Sequence, residues 1–166
     1  MPNIELDLNP VDFITIGTVG PKGQRVFHLQ AGKGEQIVTL TIEKEQAGAL
    51  GEAIRELIDD LETRHPSGVE LVPRASDLEL RDPLEPLFRV AQMGLGYDEE
   101  NDMVVLIAQE LIAINEEEDP ETVQPGVVRM WCSRAQMRAL SEQSSDTVQQ
   151  GRADPKQNGR LVYYWT

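Results

Sequence analysis

The sequence predicts an α+β fold of two related β-β-β-α halves, with antiparallel sheet or sheets and two helices packed on one face. Three observations predict it. Short alternating apolar runs, punctuated by Gly and Pro, fall in two clusters, at 4–42 and 88–131. Each cluster gives way to apolar residues at three- and four-residue spacing, at 43–64 and 133–150. The two helical stretches also open alike: Gln46-Ala-Gly-Ala49-Leu50-Gly-Glu52 matches Gln136-Met-Arg-Ala139-Leu140-Ser-Glu142, preceded by Lys44 or Arg134.

Ile4, Leu6 and Leu8 alternate with Glu5 and Asp7, a short strand that Asn9-Pro10 ends. Residues 13–19 are a second strand rich in β-branched side chains. Gly20-Pro-Lys-Gly23 marks a turn, and residues 24–30 resume extended structure, with Val26, His28 and Gln30 on one face and Phe27 and Leu29 on the other. After a turn at Gly32-Lys-Gly34, Ile37, Val38, Leu40 and Ile42 mark a further strand and complete an antiparallel meander. Leu50, Ile54, Leu57, Ile58 and Leu61 then line one helix face, and His65-Pro66 stops it.

Pro73, Pro83 and Pro86 exclude a regular element from the connecting segment 67–86, and Leu78, Leu80, Leu84 and Leu87 lay it along the surface. In the second half, 88–97 is a strand, 98–102 an acidic turn, and 103–114 the most apolar strand and therefore central. Residues 116–125 form a polar loop, 127–131 a strand, and 133–150 a helix with Met137, Leu140 and Val148 inward. The chain closes on Arg160-Leu-Val-Tyr-Tyr-Trp-Thr166, an aromatic run that needs a surface to cover.

Ser133 with Gln136 fits a capping box, the hydroxyl at N-cap and the amide three residues on. Glu43 with Gln46 repeats the spacing with a less favoured cap residue. Phe13 aligns with Phe88 as the start of each half, and a pseudo-twofold axis would relate the halves. The expected organisation is a single domain, 1–166, with a first half at 11–66, the connection at 67–86, a second half at 87–150 and a tail at 151–166.

Composition narrows the partners. The 166 residues carry 29 acids against 15 bases, a net charge of −14, which excludes the basic face a nucleic-acid binder needs and disfavours anionic membrane. The apolar stretch 103–114 is too short and too polar to span a bilayer. One cysteine, Cys132, permits no intrachain disulfide, and the first ten residues lack a signal peptide's basic and apolar regions, so a cytoplasmic location is expected.

Candidate chemistry is sparse. Gly17-Thr-Val-Gly20-Pro-Lys-Gly23 lacks the Gly-Lys-Ser/Thr ending of a phosphate loop and leads into a strand, so it reads as a hairpin turn. Asp98, Glu100 and Asp102 alternate like a calcium loop, but Met103 and Gln109 occupy the positions that need Gly and Glu. Glu116-Glu-Glu-Asp119 is a solvated run that would suit a basic partner. His28, His65 and Cys132 lack metal-ligand spacing. Cys132 stands before a helix start, where a thiol can be activated, but no local base accompanies it, and a buried structural cysteine is the simpler reading. Arg25 and Arg89, each placed in a strand, are candidate anion-binding residues, with ordinary ion pairing as the competing role. Trp131, Tyr163, Tyr164 and Trp165 would serve a core, an interface or an aromatic ligand patch. No catalytic residue, metal ligand or cofactor is expected from these motifs.

The run Phe13-x-x-x-Gly17-Thr18-Val19-Gly20-x-x-Gly23-x-Arg25-x-Phe27-x-Leu29-Gln30 resembles the opening motif of the bacterial family called domain of unknown function 3090. Glu43-Lys44-x-Gln46, Phe88-Arg89-Val90 with Met93, Leu95, Tyr97 and Asp98, and Arg134-x-Gln136 are similar to that family too, in the right order, over residues 10–152. The family's name carries no activity. Many members end in a Cys/His motif that looks like a zinc ribbon. Here Gly151-Arg152 and Asn158-Gly159 keep their order, but residues 153–157 hold no cysteine or histidine, so the resemblance implies no zinc site in this chain.

Two functional readings stand. The first is a non-enzymatic binding or assembly module, with a protein partner, a homodimer, or a peptide or small ligand in a cleft between the halves. The alternative is an enzyme or ligand-binding protein for an anionic, phosphorylated small molecule held by Arg25 and Arg89.

Overall fold

The computed structural model describes residues 4–21, 23–66, 78–112 and 124–150. The elements run β1 (Glu5–Leu8), β2 (Phe13–Val19), β3 (Val26–Lys33), β4 (Gln36–Ile42), α1 (Lys44–Arg64), β5 (Pro86–Asp98), β6 (Met103–Glu110), β7 (Val127–Cys132) and α2 (Arg134–Gln150). The α+β class holds, and strands 2–4 with α1 and strands 5–7 with α2 each run β-β-β-α. All seven strands form one sheet in the order β1-β7-β6-β5-β4-β3-β2. It is mixed, where an antiparallel sheet was expected: β4 and β5 pair in parallel, and so do β1 and β7.

The two edges of this sheet are consecutive in the chain. Seven strands laid flat would put β1 and β2 about 29 Å apart at the usual strand spacing. Residues 9–12 span at most about 17 Å. The sheet therefore curls until its ends meet: Val11 N–H donates to Trp131 O on β7 (2.9 Å), and Asp12 N–H to Gly32 O on β3 (2.7 Å). The result is a barrel-like sheet whose two end strands, β1 on β7 and β2 on β3, are brought together at the corner 9–12.

β5 explains the two parallel junctions. Its first residues pair with β4, Phe88 opposite Leu40, and after a shift near Val90 the remainder pairs with β6. In the first half the same path is divided between two strands. β1 pairs with β7, Leu8 opposite Met130, and β2 then pairs with β3. The ladders match closely, since Phe27 faces Ile42 as Val104 faces Cys132, and Phe13 faces Gly32 as Gln92 faces Gln109. This corrects the alignment of Phe13 with Phe88: the counterpart of Phe13 is Gln92, and that of Phe88 is Leu8. Pro86 stands at the first position of β5, where its missing N–H is tolerated, so the strand begins inside the segment read as a connection.

The barrel interior takes alternate residues from every strand, among them Ile16, Leu29, Leu40, Phe88, Leu106 and Met130, all buried. The other strand face differs between halves. Phe13–Ile16 and residues 27–32 are buried on both faces, whereas β7 alternates buried with half-buried residues.

Both helix starts are tied to the strands by a glutamine. The Gln46 amide accepts from Glu43 N–H (2.7 Å) and donates to Val90 O and Ala91 O. Gln136 accepts from Ser133 N–H (2.8 Å) and donates to Val11 O and Asp12 O, and its own N–H donates to Ser133 Oγ. The helices meet along small residues: Ser141 Oγ donates to Gly51 O (2.8 Å) and Ser144 Oγ to Ala47 O. Among the described residues no helix is long and apolar enough to cross a membrane.

Candidate functional site

What covers the outer face of the sheet decides where a ligand can bind. Over β2 and β3 the cover is the chain itself, residues 78–81. Thr15 Oγ1 donates to Leu78 O (2.7 Å), and Gln143 Nε2 on α2 donates to the same oxygen (3.4 Å). The buried Gln30 amide pairs with the backbone of Arg81 in both directions, Nε2 to Arg81 O (2.8 Å) and Arg81 N–H to Oε1 (2.7 Å). The Arg81 guanidinium lies 3.7 Å from the Phe13 ring centroid. Leu80 fills the space over Gly17, where a Cβ would come within 2.7 Å of its Cγ.

Among the described residues, no such segment covers the corresponding surface of the second half. By ladder register Gly94, Gly96 and Ile107 stand where Thr15, Gly17 and Gln30 stand, and α1 Ala53 stands where Gln143 stands. A Cβ at Gly94 or Gly96 would meet nothing within 4 Å. Every group that holds the first-half segment by a hydrogen bond is replaced by Gly, Ala or an aliphatic side chain. Between α1 and β5 lies a cleft of roughly 310 Å³, lined on the helix by Gln46, Leu50 and Ala53 and on the strand by Gln92, Gly94 and Leu95. Gln92 Nε2 donates to Gln109 Oε1 across the ladder.

Gly94, which lines the cleft, also belongs to an apolar row across the sheet. Gly94 pairs with Ile107, Gly96 with Val105, and Val105 with Trp131. Ile107 is 38% and Leu111 54% exposed, and Val105 and Trp131 are half-buried. Strand β6 opens on Met103-Val-Val-Leu-Ile-Ala108, an unbroken apolar run of the kind found where both faces are covered, yet among the described residues its outward Val105 and Ile107 are only partly covered or exposed. Sequence reasoning missed this site. Its signal was the Gly94-x-Gly96 pair in a strand, which marks close approach by another group.

The residues singled out from sequence lie elsewhere. Arg89 is exposed on β5 and ion-paired to Glu43 at the N-cap of α1. Arg25 lies just before β3 rather than within a strand, and is half-buried. Cys132 is fully buried, donates weakly to Met130 O (3.6 Å), and burial pushes its thiol up, away from reactivity. His28 is buried in β3, its Nδ1 without a hydrogen-bond partner among the described residues, and desolvation lowers its pKa, which favours the neutral ring. Tyr163, Tyr164, Trp165 and the run at 116–119 lie outside the described residues. Among those described, no group of three or more His, Cys, Asp or Glu is placed to hold a metal ion.

One polar cluster was not anticipated. The Arg134 side chain, only 4% exposed, reaches Asp102 Oδ1 (2.8 Å), Glu62 Oε1 (3.0 Å) and the Tyr97 hydroxyl (3.4 Å). Burial opposes its charge, but these hydrogen bonds and Asp102 outweigh burial and hold the guanidinium more firmly protonated than usual. Tyr97 donates to Asp102 (2.8 Å), which raises its own pKa. Each member has a partner within the cluster, and Glu62 also pairs with Arg138, so the acidic turn at 98–102 is a structural tie between α1, α2 and the β5–β6 hairpin.

The profile of a family described as "Protein of unknown function (DUF3090)" matches residues 6–158 of this sequence. No curated protein and no solved structure matches.

Proposed function

From the premise that this chain belongs to the DUF3090 family, whose description leaves the activity open, we propose that it is a binding module that takes an extended apolar peptide segment in the cleft between α1 and β5. One observation carries the reading. The equivalent surface of the first half is occupied by a segment of the chain, Leu78-Glu-Leu-Arg81, with Leu80 seated on Gly17. The cleft offers no counterpart to the groups that grip Leu78 O and Arg81, so its ligand is selected by bulky apolar side chains, over Gly94 in the cleft and over the neighbouring bare Gly96.

The test is thermal unfolding of the full chain with a panel of short unstructured peptides in which Leu, Phe and Tyr alternate with polar residues. A binding peptide at a hundredfold excess over its Kd raises Tm by about 5–10 °C. Gly96→Leu, which fills open space, is expected to abolish that shift. No shift from any peptide, or one indifferent to Gly96→Leu, would sink the reading. A shift from phosphorylated small molecules instead, lost on Arg25→Ala or Arg89→Ala, would put the anionic-ligand function in its place.

A further inference from the structure

We infer that the segment seated in the open cleft is the chain's own aromatic run, residues 161–165, so that the peptide site is capped in cis. The inference rests on the peptide-binding reading above and names the occupant. Chain order is its first support. In the first half, the segment that covers the sheet follows α1 after residues 65–77; residues 161–165 follow α2 after residues 151–160. Ten extended residues reach about 33 Å, longer than the roughly 25 Å of the seventeen-residue α2 they would run back along.

Shape is the second support. Two glycines at alternate positions leave β5 bare on its outer face, and an aromatic ring laid over a strand glycine restores the missing contact. Tyr163, Tyr164 and Trp165 provide bulkier groups than Leu80, matched to a floor that Gly94, in place of Thr15, makes deeper than in the first half. Charge is the third. Residues 156–166 contain Lys156 and Arg160 and no carboxylate side chain, in a chain of net charge −14, so this stretch is drawn to the body rather than repelled. A tethered segment acts at an effective concentration in the millimolar range, and a partner's segment must displace it to enter.

Tryptophan fluorescence of the full chain tests this. Trp131→Phe leaves Trp165 as the sole tryptophan. The expected emission is at short wavelength, shielded from iodide and independent of protein concentration. Gly94→Val with Gly96→Leu, whose added groups enter open space and whose folding is checked by circular dichroism, should release Trp165 to solvent-like emission with several-fold greater quenching. Solvent-like emission before that change overturns the inference, as does shielding that survives it. Shielding that grows with concentration also overturns it and assigns the segment to a second copy. The two readings fail separately. Peptide binding sensitive to Gly96→Leu, with Trp165 exposed throughout, removes the cis segment and keeps the site. A shielded Trp165 with no peptide bound, even after Tyr163→Ser, Tyr164→Ser and Trp165→Ser, keeps the cis contact and removes the partner.

Discussion

Arg134 shows how one side chain sets the geometry around it. It is nearly buried, while its carboxylate partners Asp102 and Glu62 are half and one-third exposed. Solvent can therefore partly rehydrate those partners when the guanidinium is removed, and Arg134→Ala is expected to cost on the order of 2 kcal/mol, below the range for a fully buried pair. Arg134→Lys should not restore it, because one ammonium cannot reach three acceptors in different directions. Urea midpoints of the two variants check both statements. His28 predicts a pH dependence. Its folded pKa lies below the ordinary 6.5, so the unfolded chain binds the proton first as pH falls. The stability from keeping this ring neutral is present in full above about pH 7 and is lost as pH falls through 6.5 toward the folded pKa. Comparing urea midpoints at pH 7.5 and 5.5, His28→Leu should show a smaller loss than the parent. Cys132, buried with its pKa raised, should resist iodoacetamide in the native state and react only on unfolding.

At the scale of elements, the contact between α1 and α2 depends on what is absent from it. A Cβ on Gly51 would stand 3.0 Å from Ser144 Oγ and 3.2 Å from Ser144 Cβ. Gly51→Ala sets a gain of about 1 kcal/mol in helix propensity against that crowding. Gly51→Leu has no room and should destabilise by about 3 kcal/mol or more, read from a thermal or urea melt. The elements themselves were legible because their periods differ. Leu50, Ile54, Leu57, Ile58 and Leu61 recur as only a helix requires, and Phe27, Leu29 and Ala31 as only a strand requires. The start shared by Gln46 and Gln136 was legible too, since an amide three residues after the cap has one local use. Its second use, pinning the incoming strand at Val90 or Val11, was not, because those partners are far away in sequence.

For the whole molecule, closure is the property that local reading could not supply. Alternation in Ile4, Leu6 and Leu8 announces a strand but does not say that its partner is β7. Phe13 and Phe88 looked equivalent because each opens an apolar run. In the barrel one begins β2 and the other sits in the part of β5 that corresponds to β1. The candidate site was half legible for a related reason. The unbroken apolar character of 103–108 called for cover on both faces, and Gly94 and Gly96 marked where another group approaches. Only the assembled sheet shows that the first half has its cover and that the described residues of the second do not. Arg25 and Arg89 stood out by charge, a signal that carries no information about which face or element a residue occupies.

The division of one barrel path into β1 and β2 also bears on how the molecule is made. Glu5 pairs with Val127 and Leu8 with Met130, so β1 must wait for a strand synthesised more than a hundred residues later. Until then Leu6 and Leu8 have no lasting place, and β7 has an open edge. Pairing at such separation carries a high loop-closure cost and belongs to the slow end of folding, milliseconds to seconds. The corner at residues 9–12 is therefore expected to close late in the nascent chain, and in the interval before it closes the growing protein is open to association with its neighbours.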